Sequence, residues 1–213
     1  MDDTDLAYWE TAGATKTYSH PLRPSWLDGV PHDARVLDYG CGYGRTMNEL
    51  AGLGFTGLTG VDVSTAAVRR GRESFPGLDL RVVGPGAVLP FAAGAFDLVL
   101  LFAVLTCVPA DAAQDGLVAE LVRVLAPGGL LYVSDLPLQH DERNRERYAA
   151  HAAGSELPYG TFTTDDGATC RHHDPAWLRD LLSACDLLRE ETIPVTTMNG
   201  NAVHALQLLA RKP

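Results

Sequence analysis

The sequence predicts an α/β fold in which a mainly parallel sheet is covered by helices on both faces. Two observations lead to this prediction. Stretches with strand-like and helix-like hydrophobic patterns alternate along the first two thirds of the chain, an order that is typical of parallel sheets. The strand-like stretches are also apolar on both faces, as in residues 96–102 (FDLVLLF), which indicates strands buried between two layers.

Each element of the first two thirds has a local signal. Strands are short apolar runs, and helices have apolar residues at 3.6-residue spacing or end in proline and glycine. The predicted order is a strand, a glycine-rich turn and a helix (36–50), a strand that ends in an acid (56–64), a helix (65–75), a strand (79–84), a buried strand (96–102), a helix (112–129) and a buried strand (130–136).

The last third is more polar. Its predicted elements are a charged helix (141–153), a glycine-bearing hairpin or lid (157–173), a helix that begins with proline (174–187) and two strands around an Asn-Gly turn (191–198 and 202–212). With 213 residues, of which 46% are hydrophobic, the chain is long enough for one sizeable core. We therefore expect one domain over residues 1–213, with 1–30 as a cap and 140–174 as a lid.

Charge and composition exclude several classes of function. The formal net charge is −10, and no run of Lys or Arg is present, so nucleic-acid binding is not expected. The longest apolar run, 96–109, is too short to span a bilayer as a helix, and the acidic N-terminus is unlike a secretion signal. The four cysteines have no metal-binding spacing. These observations predict a reduced cytoplasmic protein without membrane or metal.

The glycine-rich turn DYGCGYG (38–44) predicts a ligand site. Glycine permits a positive φ and lets a ligand approach the backbone closely, and a turn between strand and helix presents N–H groups to a nucleotide. Asp62 ends the second strand about 20 residues later, where such folds place an acid on the ribose hydroxyls. The spacing is G-x-G-x-G rather than the G-x-G-x-x-G of dinucleotide sites. A nicotinamide-dependent oxidoreductase is therefore disfavoured.

Four motifs in order, VLDYGCGYG, GVDVS, LPFAAGAFDLVLLFAVL and LAPGGLLYVSD, resemble those of the class I S-adenosylmethionine-dependent methyltransferases over nearly the whole chain. The resemblance implies a three-layer Rossmann-like fold with a seven-stranded sheet whose last strand is antiparallel. It also implies S-adenosyl-L-methionine as cofactor and S-adenosyl-L-homocysteine as product. The cofactor would lie across the carboxyl ends of the early strands.

The resemblance also implies roles for particular residues. The methionine and ribose part would lie beside Asp38, Gly40 and Gly42, and the ribose hydroxyls would donate to Asp62. The adenine would lie beside Val63, and the sulfonium near Phe102. Pro85 departs from the pattern, because family members often carry an acid there that meets the adenine amino group. The adenine is then expected to be held differently, by backbone groups near Gly86 and Ala87.

Histidines are the candidate bases, since a base at neutral pH removes the proton of a hydroxyl, amine or thiol acceptor. The candidates are His20, His172 and His173, with Tyr18 as a further contact to cofactor or substrate. The alternative for each is packing within the fold. A metal at His172 and His173 is disfavoured, because adjacent side chains point apart in an extended segment.

The predicted function is in-line methyl transfer from S-adenosylmethionine to a small-molecule acceptor by a monomer or homodimer. The compact size and the acidity favour this over macromolecular substrates. The alternative is a protein that binds the cofactor to regulate another process or to catalyse a reaction other than methyl transfer. The acceptor and the methylated atom are not fixed by the sequence.

Overall fold

The computed structural model describes residues 3–17, 19–86 and 88–213. Its main sheet has seven strands in the order β3-β2-β1-β4-β5-β9-β8. The first five of these are parallel to one another, whereas β9 runs antiparallel to both β5 and β8. Their bounds are β1 Arg35–Tyr39, β2 Gly57–Asp62, β3 Asp79–Val82, β4 Phe96–Phe102, β5 Leu125–Asp135, β8 Asp186–Thr196 and β9 Ala202–Arg211. The predicted fold class is confirmed, including the antiparallel last strand.

Six α-helices and a small hairpin complete the described part of the chain. The helices are α1 Asp3–Glu10, α2 Arg45–Gly52, α3 Thr65–Ser74, α4 Asp111–Val124, α5 Glu142–Ala152 and α6 Pro175–Asp180. The hairpin pairs β6 (Thr161–Thr163) with β7 (Thr169–Arg171), as the glycine-bearing polar segment predicts. In the described residues, no helix has both the length and the apolar character that crossing a membrane requires.

Strand β4 shows why its sequence is apolar throughout. Successive side chains of a strand point to opposite faces. Val99 and Leu101 pack into a core cluster on one face of the sheet, whereas Leu98, Leu100 and Phe102 pack into a second cluster on the other face. Both faces are therefore covered, and the carboxyl end of β4 is held rigidly between them.

Two predicted helices are longer than the observed ones. The helix predicted over 112–129 ends at Val124, because the chain enters β5 at Leu125 and pairs with β4. The helix predicted over 174–187 ends at Asp180. The chain turns after this helix because Asp186 already pairs with β9. Leu178, Leu181 and Leu182 nevertheless pack in the core at the i, i+3, i+4 spacing that predicts a longer helix.

The N-terminal segment docks on helix α3. The Glu10 carboxylate accepts hydrogen bonds from the backbone N–H groups of Thr65 (2.6 Å) and Ala66 (2.9 Å), at the helix N-terminus, where a negative charge is favourable. Arg70 donates to the carbonyls of Ala14 (3.0 Å) and Lys16 (2.9 Å). The segment is thereby held beside the carboxyl end of β2.

Candidate cofactor and acceptor site

A cavity of about 630 Å³ opens at the carboxyl ends of β1, β2 and β4. This volume lies within the range of small-molecule sites. The lining residues come from the glycine turn, the end of β2, the loop before β4, the segment after β4, helix α4 and the N-terminal segment. The parallel strands aim these groups at one edge of the sheet, which is where open α/β sheets bind ligands.

The glycine turn forms one polar wall of the cavity. Gly40 and Gly42 have φ of 73° and 54°, in the left-handed region that favours glycine. The N–H groups of Gly40 and Cys41 donate to the carbonyl of Val61 (2.8 and 3.1 Å). A Cβ at Gly40 would collide with the Val104 side chain across the turn. Only glycine therefore permits this close approach of β1 to the segment after β4.

Asp62 ends β2 at the rim of the same wall. One carboxylate oxygen accepts from the N–H of Gly42 and the other from the N–H of Ser64, both at 2.8 Å. Burial raises the pKa of Asp62, and these backbone hydrogen bonds oppose that rise. Each carboxylate oxygen has two lone pairs, so Asp62 retains acceptor capacity for hydroxyl groups in the cavity.

Asp38 lies behind the turn and is 2% exposed. Its Oδ2 atom is buried and has no hydrogen-bond partner, which is costly for a charged oxygen. Burial raises the pKa of Asp38 to about 7, although Arg45 opposes the shift. The carboxyl group does not line the cavity itself, so any ligand donor would reach it through the glycine turn.

The end of β4 and the segment after it form the apolar wall, which consists of Phe102, Ala103, Val104, Cys107 and Val108. Within this wall Ala103 has a φ of 56°, the one positive φ at a non-glycine residue in the described chain. Its N–H donates to the carbonyl of Ser134 at 2.8 Å. Such backbone conformations cost about 1–3 kcal/mol and concentrate at functional sites.

The cavity brings together most of the predicted cofactor residues. Lining it are Gly40, Gly42, Asp62, Val63, Gly86 and Phe102. Ala87 and Tyr18, two further candidates, lie outside the described residues. Pro85, the departure from the family pattern, also lines the cavity. The particular contacts assigned to these residues stay predictions.

His20 lies at the carboxyl end of β5. Its Nδ1 is 2.9 Å from the hydroxyl oxygen of Ser134, and its carbonyl accepts a hydrogen bond from Arg45. Burial lowers the pKa of His20 to about 4, with Arg45 acting in the same direction. The ring is therefore neutral at pH 7, the form that accepts a proton, but it does not line the cavity.

His172 and His173 lie deeper in the protein, at the end of the β6–β7 hairpin. His172 Nδ1 is 2.5 Å from the Tyr148 hydroxyl, and His173 Nε2 is 2.8 Å from the Gln114 amide nitrogen. They are 1% and 0% exposed, and burial lowers the pKa of each to about 3. Neither lines the cavity. Asp174, which follows them, caps helix α6 through Ala176 N–H (2.8 Å).

Helix α4 contributes a wall of the site that the sequence does not predict. The residues of α4 that line the cavity are Ala112, Ala113, Gly116, Leu117, Ala119, Glu120 and Arg123. Four of them are alanine or glycine, as on an ordinary packing face. The signal that distinguishes them is the Glu120–Arg123 pair, three residues apart, whose charged groups (2.6 Å apart) would be unusual on a face buried against the core.

Three distant segments meet beside the cavity. Lys16 Nζ forms an ion pair with Asp166 (2.5 Å) and donates to the Asn199 side chain (2.6 Å). The Tyr8 hydroxyl donates to Asp166 at 3.1 Å. We call Tyr8, Lys16, Asp166 and Asn199 the cap contact. Because Trp9 and Gly13 line the cavity, this contact holds the N-terminal segment against it.

The groups around the cavity fit S-adenosylmethionine. The cofactor has a cationic amino group, ribose hydroxyls and an adenine amino group as donors. The cavity offers the carboxylates of Asp62 and Glu120 as acceptors, and Asp38 lies buried behind the glycine turn. Asp38 Oδ2 lacks a partner within the described chain, and Asp62 retains acceptor capacity. A sulfonium is also compatible with an apolar wall that contains an aromatic ring, Phe102.

Metal and thiol chemistry have less support in the geometry. Across residues 3–17, 19–86 and 88–213, no three or more His, Cys, Asp or Glu side chains converge as metal ligands would. Cys107 lines the cavity, but a hydrogen bond with Cys170 and burial raise the pKa of its thiol well above the usual value. This favours the thiol over the nucleophilic thiolate.

Residues 37–133 match the family model of a methyltransferase domain. A ubiquinone biosynthesis O-methyltransferase from Burkholderia ambifaria is 32% identical over 173 residues, which cover 74% of this chain and 71% of that protein. One from Burkholderia pseudomallei is 29% identical over 218 residues, which cover 95% and 85%.

The fold is also similar to that of a SAM-dependent methyltransferase from Methanosarcina mazei, with a TM-score of 0.83 and 24% identity over 90% of this chain and 98% of that one. The family, the enzyme class and the cofactor implied by the four motifs are thus confirmed. The chain belongs to the class I S-adenosylmethionine-dependent methyltransferases.

Proposed function

We propose that this methyltransferase acts on a hydroxyl group of a small, largely apolar molecule. The observation that carries the proposal is the continuity of one cavity from the polar glycine turn to an apolar wall. The polar part matches the cofactor, and the apolar part remains for an acceptor. The related Burkholderia proteins are O-methyltransferases by name, which favours oxygen as the methylated atom.

The acceptor side of the cavity has few charges. Beyond Phe102 its walls are Val104, Cys107, Val108 and the alanines at the start of α4. Burial of apolar surface is favourable at about 25 cal/mol per Å², so this wall favours an aromatic or aliphatic body over a highly charged one. A nucleic acid would lack a basic surface, given the net charge of −10.

When bound, S-adenosylmethionine supplies an electrophilic methyl group on a sulfonium. The chain's own residues then have three tasks in the proposed in-line transfer. Asp62 and Asp38 orient the cofactor side, Trp9 and the cap contact exclude water, and the apolar wall aligns the acceptor. The first task rests on the hydrogen-bond capacity at Asp62 and Asp38, and the second on the position of Trp9 at the cavity.

Of the three candidate histidines, we propose His20 as the base that removes the acceptor proton. It is neutral at pH 7 and belongs to the same N-terminal segment as Trp9 and Gly13, which line the cavity. Because the His20 ring does not itself line the cavity, the proposed proton transfer runs through one intervening water. His172 and His173 are each engaged deeper in the fold, with Tyr148 and Gln114. We propose a scaffold role for these two.

The test is incubation of the protein with methyl-labelled S-adenosylmethionine and a panel of small phenols and alcohols, followed by mass spectrometry. We expect equal amounts of S-adenosylhomocysteine and O-methylated product for at least one member. The deoxy analogue of that member, which lacks the hydroxyl, should give none. Methylation of the deoxy analogue would refute oxygen as the acceptor atom. Cofactor binding without transfer to any member would favour a binding or regulatory protein instead.

A further inference from the structure

Glu120 is one of two carboxylates that line the cavity within the described chain; the other is Asp62. It projects from helix α4 and lies outside every motif of the family resemblance. A charged group in a predominantly apolar wall requires a reason, because an unpaired charge there is costly. The hydrogen bonds of Glu120 within the described chain use only part of its capacity as an acceptor.

The Glu120 carboxylate is fixed in position by three donors. Oε1 accepts from the backbone N–H of Leu89 (2.7 Å) and from Arg123 Nη2 (2.6 Å), and Oε2 accepts from Arg123 Nε (2.6 Å). Arg123 Nη2 also donates to the carbonyl of Leu89 (3.3 Å) and to that of Phe91 (3.0 Å). A planar bidentate pair of this kind restricts the carboxylate to one orientation.

One acceptor position of this carboxylate is left for a ligand. Two carboxylate oxygens offer about four lone pairs, and the described chain fills two on Oε1 and one on Oε2. The Glu120 side chain is 16% exposed, and the hydrogen bond from Arg123 holds its pKa below the usual range. Oε2 is therefore an ionised acceptor at neutral pH with one lone pair available in the cavity.

The surroundings of Glu120 belong to the cofactor side of the cavity. The loop that Glu120 holds through Leu89 also contributes Pro85, Gly86 and Val88 to the lining. Burial, then Asp62, then Glu120 raise the pKa of Tyr39, which also lines the cavity. Tyr39, Asp62 and Glu120 all line this one cavity, so the two carboxylates face a common space.

We propose that Oε2 of Glu120 accepts a hydrogen bond from the exocyclic amino group of the cofactor's adenine, which makes Glu120 the residue that selects adenine over other bases. The inference rests on the cofactor side of the proposed function. Apart from its amino-acid part, S-adenosylmethionine carries two kinds of donor, the ribose hydroxyls and the adenine amino group. With Asp62 on the ribose, Glu120 is the remaining carboxylate, and Pro85 has neither an N–H nor a carboxylate to offer.

The test compares two ligands in three proteins by calorimetry. The ligands are S-adenosylhomocysteine and its purine analogue, in which hydrogen replaces the 6-amino group. In the wild type we expect the analogue to bind about tenfold more weakly, the effect of one charge-assisted hydrogen bond. In Glu120→Ala the two ligands should differ by less than about twofold. Glu120→Gln retains an amide oxygen and should give an intermediate ratio.

The matched control is Glu190→Gln. Glu190 makes the same bidentate pair with an arginine, Arg179 (2.8 and 2.6 Å), but lies on β8 away from the cavity. It should preserve the tenfold ratio. If Glu120 only holds the loop, its variants will weaken both ligands equally and keep the wild-type ratio, which overturns the inference even in a destabilised protein. A wild type that binds neither ligand would instead overturn the cofactor assignment itself.

Discussion

The carboxylate of Asp62 accepts a hydrogen bond of 2.8 Å from the backbone N–H of Gly42, twenty residues earlier in the chain. The bond joins the end of β2 to the glycine turn after β1. It also fixes the carboxylate by a backbone group, so that side-chain entropy is already lost before a ligand binds. Asp62 therefore presents its remaining lone pairs at a defined place in the cavity.

We expect Asp62→Ala to raise the Kd for S-adenosylhomocysteine by about tenfold or more, because charge-assisted hydrogen bonds contribute roughly 1.5–3 kcal/mol. Calorimetry measures the change, with the melting temperature as a check on folding. Asp97→Ala is the control, since Asp97 also accepts a backbone N–H, from Arg35 (2.9 Å), but at the opposite end of the sheet. Equal affinity in wild type and Asp62→Ala would contradict the ribose assignment.

The buried Asp38 predicts a stability that depends on pH. Its pKa is raised from 3.8 to about 7 in the fold, so the folded state binds a proton more strongly than the unfolded state. The stabilisation of the folded state by the protonated Asp38 carboxyl is complete below about pH 4 and is lost as the pH rises through about 7. The groups that act on Asp38 besides burial are Arg45, which favours the charged form, and Asp62, which opposes it.

Asp38→Asn removes this titration. We expect the variant without cofactor to melt at least about 4 °C above the wild type at pH 8, since each kcal/mol corresponds to roughly 2–4 °C in a chain of this size. At pH 4 the difference should nearly vanish. The same variant should bind S-adenosylhomocysteine more weakly. A constant difference at both pH values would show that Asp38 does not titrate in this range.

The assignment of His20 as base predicts a specific kinetic pattern. With an acceptor in hand, His20→Ala should reduce turnover by about a hundredfold or more, the usual contribution of a general base, while the Kd for S-adenosylhomocysteine changes by less than about threefold. His172→Ala should instead lower the melting temperature, because the Tyr148 hydroxyl loses its 2.5 Å partner. Near-normal turnover in His20→Ala would mean that the acceptor reacts without this base.

The buried histidines also predict the acid limit of folding. Burial lowers the pKa of His172 from 6.5 to about 3, so its contribution to stability is present at neutral pH and is lost as the pH falls below about 6.5. His172→Gln should shift the midpoint of acid unfolding to lower pH, as followed by circular dichroism. The exposed His140 provides the control. An unchanged midpoint would show that another group governs acid unfolding.

The sequence predicts the strands and the glycine turn because their signals are local. Strand β4 is apolar at every position but one, and Asp62 follows the turn at a fixed distance. The α4 wall is not predictable in this way, because Ala113 and Gly116 resemble residues that pack on a sheet. The pairing of Lys16 with Asp166 is also invisible, since 150 residues separate them and only the folded chain determines which polar groups meet.

The cap contact is expected to restrict the exit of a ligand from the cavity. Lys16 holds the pKa of Asp166 well below its usual range, with Thr164 and Tyr8 as further donors. The lowered pKa means that this stabilisation is present above about pH 4 and is lost as the pH falls. Asp166→Ala should therefore loosen the N-terminal segment at neutral pH and open the cavity beside Trp9. Partly exposed ion pairs contribute up to about 1 kcal/mol each, so the effect should be moderate.

We expect S-adenosylhomocysteine to dissociate about threefold faster or more from Asp166→Ala, as measured by stopped-flow fluorescence of Trp9 at the cavity wall. Asp165→Ala removes the same charge from the neighbouring, exposed position and should leave the rate unchanged. Trp9→Phe identifies the part of the signal that comes from the cavity. Equal dissociation from the Asp166 and Asp165 variants would mean that the N-terminal segment is held by its contacts with α3 alone, through Glu10 and Arg70, and that the cap contact does not restrict the exit of the ligand.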